Sequence, residues 1–443
     1  MTFPIRLSFC VLYSFAVSAG AAAPVVTITT DRPDALYNEN EEVTFTIKAK
    51  DGTKNLDWGN VDWTLSLDGY KTLSSGKGSL DGGAGVPVKG ALEHPGFLLL
   101  TATFTGPDGK KISGYAGAGV SPNALTPSLP APDDFDAFWA EQKKQLGEVP
   151  ITYIAAPRSL TTPGDAGIEA FDVQVPSEKG GAPVSGYFAK PKTAPPKSLP
   201  AVLWVHGAGV RSASLPAALG GARDGFLSMD INAHGIPNGE PEAYYKALSE
   251  GKLKTYRSDG TKSRDEIYFR GMFVRLARAL DFLTTRPEWD GKTLAVIGHS
   301  QGGYQALVAG GLDERVTFIG AGVPAGCDHT GMKVNRISGW PKIVPLLADG
   351  TPDPQALEAS RYVDAVNFAT RCKAEAMVSV GFIDRTCPPT SVYTAYNVLQ
   401  GSKKILNYPA MGHASTDEIR QKFREALLKH AGRKVEAPAA VVK

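Results

Sequence analysis

Three residues far apart in the chain are of the types that acyl transfer requires: Ser300, Asp384 and His413. A serine hydroxyl is a poor nucleophile until an imidazole takes its proton, and a carboxylate fixes the imidazole's tautomer and stabilises its charged form. Ser300 stands in Gly298-His299-Ser300-Gln301-Gly302, a G-x-S-x-G turn that follows the apolar run Leu294-Ala-Val-Ile297 and leads into Gly303-Tyr-Gln-Ala-Leu-Val-Ala-Gly310. The glycines are a steric requirement, because a strand reversing sharply into a helix leaves no room for side chains beside the serine and strains the serine backbone. Such a turn presents the hydroxyl at a helix N-terminus, where backbone N–H groups can receive a developing oxyanion. Small-residue turns also arise for packing alone; the strand before this one and the helix after it point to a nucleophile.

The elements that must position the three residues are an alternation of strands and helices. Phe171-Asp-Val-Gln-Val and Val184-Ser-Gly-Tyr-Phe-Ala precede the buried run Ala201-Val-Leu-Trp-Val205. Then come Gly225-Phe-Leu-Ser-Met229, a helix from about Arg264 to Thr285, the serine strand, Val316-Thr-Phe-Ile-Gly-Ala, Ala376-Met-Val-Ser-Val-Gly381, a helix over Val392 to Leu399, Lys404-Ile-Leu-Asn-Tyr408 and a last helix. Ser263 with Glu266 and Ser415 with Glu418 read as capping boxes at two helix starts. The expected fold is α/β, a doubly wound, mostly parallel sheet of α/β-hydrolase type with helices on both faces and its active site at the carboxyl ends of the strands.

In that architecture a triad runs Ser, then Asp or Glu, then His, each after a strand. Asp384 follows the strand ending at Gly381, and His413 follows the next, in Tyr408-Pro-Ala-Met-Gly-His413. His430 on the last helix and His94 compete poorly for the base, and neither Asp328 nor Asp364 follows the strand preceding His413. The oxyanion hole is expected to use the amide of Gln301 and that of Ala208, in the loop His206-Gly-Ala-Gly209 after Val205, where small residues let a carbonyl oxygen approach the main chain. His206 reads as a loop-packing histidine.

The 443 residues fit two domains after an export signal. Residues 1–23 read as a secretory signal, with one basic residue, the apolar run Leu7 to Ala19 and small residues up to Ala23; cleavage is expected between Ala19 and Ala23, leaving a secreted or periplasmic protein. Residues 24–120 alternate apolar and polar positions between glycine-rich turns, which predicts an all-β immunoglobulin-like sandwich. Trp58, Trp63 and Tyr70 there are candidates for sugar stacking or for core positions, and the domain as a whole reads as a spacer, a lid support or a glycan binder. Residues 121–132 hold four prolines and read as a semi-rigid linker; residues 133–432 form the catalytic domain, its first helix presenting Phe135, Phe138, Trp139, Gln142 and Leu146 on one face; residues 433–443 read as a disordered tail. The charge balance of 47 basic and 45 acidic residues, without blocks of like charge, argues against nucleic-acid or membrane-surface partners. No C-x-x-C or H-E-x-x-H spacing supports a metal site, and the triad chemistry needs no cofactor. After the signal, Cys327, Cys372 and Cys387 allow at most one internal disulfide, whose pairing spacing does not decide.

From about Pro132 to Ala431 the chain resembles the acetyl xylan esterase and cephalosporin C deacetylase family of carbohydrate esterases. The resemblance rests on Asp133-Asp-Phe-Asp-Ala-Phe-Trp139, Phe269-Arg-Gly-Met-Phe273, Gly298-His-Ser-Gln-Gly-Gly303, Gly381-Phe-Ile-Asp-Arg-Thr-Cys-Pro-Pro-Thr390 with Tyr393-Thr-Ala-Tyr-Asn397, and Gly412-His413. It implies Ser300 as nucleophile, Asp384 and His413 as its relay, the Ala208 and Gln301 amides as oxyanion donors, removal of acetyl groups from sugar hydroxyls, and a tendency to oligomerise. Three departures stand out. An R-G-Q segment usual in the family is replaced by Asp230-Ile-Asn-Ala-His-Gly235, a usual His-Glu pair is His413-Ala414, and the added sandwich leaves the oligomeric state open. Asn232 and His234 in the altered segment, and Trp340 in the long Cys327 to Pro354 insertion, are the candidate substrate contacts, with packing in the cap as the default reading of Trp340. Two other readings share parts of the pattern: a serine peptidase of the prolyl oligopeptidase type, for whose propeller the N-terminal region is too small, and a glycan-binding protein with an inactive hydrolase domain.

Overall fold

A computed structural model describes residues 24–106 and 108–435; the expected signal peptide and the end of the expected tail lie outside the described residues. The first nine strands are β1 (Val25–Thr30), β2 (Leu36–Tyr37), β3 (Val43–Asp51), β4 (Lys54–Asn55), β5 (Asn60–Leu67), β6 (Lys71–Ser79), β7 (Val86–Gly90), β8 (Gly96–Thr105) and β9 (Lys111–Val120). They form two sheets, β1-β3-β4 with β7 paired to β3, and β2-β9-β8-β5-β6. Alternation decides which side faces in: Val43, Phe45, Ile47 and Ala49 of β3 are buried and the residues between them are not. The expected β1, β3, β5, β8 and β9 are all present. β6 and β7 are additions that patterning could not supply, because Lys71-Thr-Leu-Ser-Ser-Gly-Lys-Gly-Ser79 has no apolar face and is held by its ladder with β5, while β7 is a short edge strand containing Pro87.

The second half begins with helix α1 (Phe135–Gly147), which buries the five residues expected on one face. Nine further strands follow: β10 (Ile154–Pro157), β11 (Ile168–Val175), β12 (Val184–Pro191), β13 (Leu199–Val205), β14 (Leu227–Ile231), β15 (Trp289–His299), β16 (Phe318–Gly322), β17 (Glu375–Gly381) and β18 (Lys403–Tyr408). They make one sheet in the order β10-β11-β12-β14-β13-β15-β16-β17-β18. The pairs from β14 through β18 are parallel and those from β10 to β14 antiparallel. The remaining α-helices among the described residues are α2 (Leu215–Arg223), α3 (Glu242–Glu250), α4 (Tyr268–Thr284), α5 (Gln301–Leu312), α6 (Pro354–Arg361), α7 (Ala365–Ala369), α8 (Pro389–Val398) and α9 (Asp417–His430). This is the α/β-hydrolase arrangement behind an all-β region. No helix among the described residues is long and apolar enough to cross a membrane.

Both capping boxes are corrected. Helix α4 starts at Tyr268 rather than near Arg264, because the Ser263 carbonyl closes a turn onto the N–H groups of Glu266 and Ile267 and Asp259 accepts from Tyr268 N–H. Thr416, not Ser415, caps α9 by accepting from Ile419 N–H, and Glu418 pairs with Lys422 instead. Helix α8 starts three residues before the expected Val392, with Pro389 in its first turn. The proline-rich stretch 121–132 is fastened along its length: Ser128 N–H and Oγ donate to Asp328, Asn397 Nδ2 donates to the Pro122 and Leu125 carbonyls, and Arg361 donates to the Pro130 carbonyl.

The all-β region and the hydrolase sheet share one buried apolar cluster that contains Phe45 and Phe97 as well as Phe382, Tyr393 and Phe273. Within this contact Asp68, on the turn after β5, accepts the Thr390 hydroxyl on both carboxylate oxygens at 2.6 Å. Burial pushes the Asp68 carboxyl up to about 7, against the downward pull of Thr390 and the charge of Arg336. A folded value above the ordinary 3.8 means that the neutral carboxyl's contribution to stability is fully present below about pH 4 and is lost as pH rises through about 7. Denaturation curves of the wild type and Asp68→Asn across that window should therefore show the variant gaining on the wild type by on the order of a few kcal/mol as pH rises; a constant difference would contradict the assignment.

Candidate active site

Ser300 sits between β15 and α5 with φ 58° and ψ −121°, a conformation that L side chains rarely adopt. Backbone bonds hold it there: its N–H donates to the Gly322 carbonyl at 2.8 Å, and its own carbonyl accepts from Tyr304 and Ala325. The turn's glycines are dictated by the neighbouring strand. A Cβ on Gly298 would lie 2.3 Å, and one on Gly302 2.1 Å, from the carbonyl oxygen of Val205 at the end of β13.

His413, on the loop after β18, bridges the other two groups. Its Nδ1 is 2.7 Å from Asp384 Oδ2 and its Nε2 is 2.8 Å from Ser300 Oγ. With Nδ1–H donating to the carboxylate, Nε2 is left to accept from the serine hydroxyl, which is the tautomer a general base needs. Asp384 is buried, and its second oxygen accepts the amides of Thr386 at 2.8 Å and Cys387 at 2.9 Å, so the carboxylate is fixed by its own loop. The two loops are laced together, with Phe382 N–H donating to the Tyr408 carbonyl and Ile383 N–H to the Met411 carbonyl. The three sequence-predicted triad residues are thus brought into one hydrogen-bonded line.

Cys387 belongs to this cluster. Its sulfur, an Asp384 oxygen and a His413 nitrogen lie within 4.8 Å of one another, a set of atom types able to ligate a metal, but both imidazole nitrogens are already engaged with Asp384 and Ser300. Burial drives the Cys387 thiol well above its ordinary range, so it packs as a neutral group. Cys327, Cys372 and Cys387 are all buried and free, which resolves the open disulfide question in favour of packing.

Gln301 is the first residue of α5, so its N–H is among those that the helical ladder leaves without an acceptor. Ala208 lies between Gly207, whose carbonyl accepts from Arg211 at 2.8 Å, and Gly209, whose carbonyl accepts from His234 Nε2 at 3.2 Å. His206 packs in the same loop, its ring pushed down to about 4 by burial and the nearby Arg211 charge.

The substrate contacts expected in the altered segment are corrected. Asn232 is buried and uses its whole amide on its own loop, donating to the Ile236 carbonyl and Asn238 and accepting the amides of His234 and Ile236. His234 is buried, has both ring nitrogens engaged by Gly209 and Tyr268, and is pushed down to about 4 by burial. Its contact is with the Gly207–Gly209 loop, not with an open surface. Trp340 is half-buried, edge-on to Phe269 at 5.9 Å, and its backbone N–H donates to the Thr386 carbonyl, so it packs between the core and the acid loop. Sequence reasoning missed Arg211, and also Tyr256, whose hydroxyl donates to the Gln301 side chain at 3.3 Å while its ring meets His234 edge-on. Neither carries a motif, and both lie on segments without periodicity.

The acetyl xylan esterase family model matches residues 124–430. Among curated proteins the chain is similar to acetyl esterase Axe7A of Xylanibacter ruminicola, 32% identical over 364 residues that make up 81% of this chain and 80% of that protein. Among solved structures it is similar to an acetyl xylan esterase from Paenibacillus sp. R4, with 25% identity and a TM-score of 0.60 over 70% of this chain and 98% of that one. It shares the fold of acetyl xylan esterase 1 from Thermoanaerobacterium sp. JW/SL YS485, with 23% identity and a TM-score of 0.60 over 70% of this chain and 97% of that one.

The elbow geometry has a direct consequence. Since the atom that a Gly302 side chain would strike is backbone, Gly302→Ala must displace β13 or the turn, and its melting temperature should fall by on the order of 5 °C or more together with esterase activity; an unchanged melting curve would show that the turn is not so constrained.

Proposed function

The chain belongs to the acetyl xylan esterase family and is a carboxylic ester hydrolase, and we propose that it removes acetyl groups from the sugar hydroxyls of a plant or algal polysaccharide, or of its oligosaccharides, through an acyl-enzyme formed on Ser300. The observation that carries this reading is the pair of bonds made by His413, one to Asp384 and one to Ser300 Oγ. Ser300 Oγ attacks the acetyl carbonyl as His413 Nε2 takes its proton, and Asp384 stabilises the imidazolium so formed. The amides of Gln301 and Ala208 receive the oxyanion of the tetrahedral intermediate. His413 then protonates the departing sugar oxygen, and a water activated by the same imidazole releases acetate from the serine.

Further parts of the proposal rest on sequence pattern. Residues 1–23 direct export and are cut between Ala19 and Ala23. Residues 24–120 form one domain and 133–432 the catalytic domain. The family model's match begins at residue 124, after the all-β region, which supports that division.

Acetate release from acetylated xylan and from acetylated oligosaccharides tests the chemistry. Ser300→Ala should lower turnover by on the order of 10⁴-fold or more, and Asp384→Asn, which favours the wrong imidazole tautomer, by about 10⁴-fold with substrate affinity little changed. Turnover that survives Ser300→Ala would overturn the mechanism.

A further inference from the structure

The two loops that carry Asp384 and His413 are gripped from outside the hydrolase fold. On the acid side, Asp68 holds the Thr390 hydroxyl in the first turn of α8, immediately after the Pro388-Pro389 step that ends the Asp384 loop. Arg385, next to Asp384, donates to the Gly69 carbonyl at 3.3 Å. Phe97 of β8 meets Phe382 edge-on at 5.0 Å and Tyr393 of α8 at 5.5 Å, all three rings being almost wholly buried. On the base side, Gly117 N–H of β9 donates to the Pro409 carbonyl, four residues before His413. Gly117 is also where the strand approaches most closely, since a Cβ there would lie 2.5 Å from the Phe382 carbonyl oxygen and 2.6 Å from Phe382 Cβ.

We infer that the all-β region is a positioning element of the catalytic centre, with Asp68 and Gly117 bracing, through Thr390, Phe382 and Pro409, the loops that bear Asp384 and His413 and that also bond to each other. A spacer would touch the hydrolase anywhere on its surface; this region touches it on both triad loops. Phe382 and Ile383 of the Asp384 loop already bond to the Tyr408 and Met411 carbonyls of the His413 loop, and the sheet grips both loops from outside that lacing, so each loop is held on two sides. The inference rests on the triad reading proposed above. It gives Asp68, Thr390 and Gly117 no contact with substrate.

The experiment is fluorophosphonate labelling of Ser300 alongside 4-nitrophenyl acetate turnover, in full-length wild type, Thr390→Val, Thr390→Ser and Gly117→Ala. The labelled fraction counts folded sites, and the labelling rate constant reports how well each folded triad is aligned. Thr390→Val should lower both the rate constant and kcat by roughly fivefold or more, with KM within about twofold and the labelled fraction unchanged, while Thr390→Ser, which keeps the hydroxyl, stays within about twofold of wild type. Gly117→Ala should lower the rate constant by about tenfold or more. The two substitutions act on separate contacts, so if one fails to fold the other decides. A wild-type rate constant per labelled site in the folded variants, or activity that falls only in step with the labelled fraction, overturns the inference. A wild-type protein that does not label at Ser300 sinks the triad reading itself, a distinguishable result.

Discussion

An imidazole has two nitrogens, and for the chemistry proposed here one must donate to a carboxylate while the other accepts from a hydroxyl. His413 meets that constraint only if two loops on different strands and a turn on a third converge to within hydrogen-bonding distance. The surroundings protect the arrangement electrostatically. His206, His234 and His299 all lie near the elbow, and burial pushes each down to about 4. None of them carries positive charge near neutral pH, so the imidazolium proposed for His413 would meet no like charge from these rings. Asp384, in turn, keeps two loop amides on one oxygen and offers the other to His413, which leaves the carboxylate no reason to rotate.

The strained serine depends on the same convergence. Its φ of 58° is maintained because Gly322 and Ala325 bind its backbone on one side while Val205 presses on Gly298 and Gly302 from the other. Three neighbouring parallel strands, β13, β15 and β16, therefore supply the turn, and the next two in sheet order, β17 and β18, supply the loops of Asp384 and His413. This is why active sites of such sheets gather at carboxyl ends: only there do five strands deliver loops to one place.

That much was legible in the sequence, because each signal is local: a glycine-flanked serine after an apolar run, an acid and a histidine each just past a strand, α1 with its buried face. What was not legible depends on how side chains and carbonyls pair once the chain is folded, sometimes within one loop and sometimes across the whole sequence. Asn232 and His234 look like free polar residues in an unusual loop, and only the fold shows that Asn238, Gly209 and Tyr268 use up their donors and acceptors. Ser263 with Glu266 satisfies the capping pattern, yet a turn closed by Asp259 displaces the helix start. The proline-rich stretch reads as a linker from composition, whereas its ordering follows from carbonyls that Asn397 and Arg361 bind from more than two hundred positions away.

The contact between the all-β region and the hydrolase sheet is the extreme case, since Asp68 and Thr390 are separated by 322 positions. Its physical character bears on how the two regions can be treated. Domains joined as beads on a string usually meet through modest, rather polar surfaces and move relative to each other. Here aromatic rings from both sides are sealed from solvent, and a carboxyl group is buried where one hydroxyl serves both its oxygens. Removing one partner of such a buried polar pair costs more than the pair contributes, because the group left behind has lost its water as well as its bond. Cutting away the all-β region would strip Phe97 from Phe382 and Tyr393 and uncap Thr390 in a single step, at the root of the loop that carries Asp384. Activity lost on truncation thus follows from the state of the triad loops before any question of how a polymer is held.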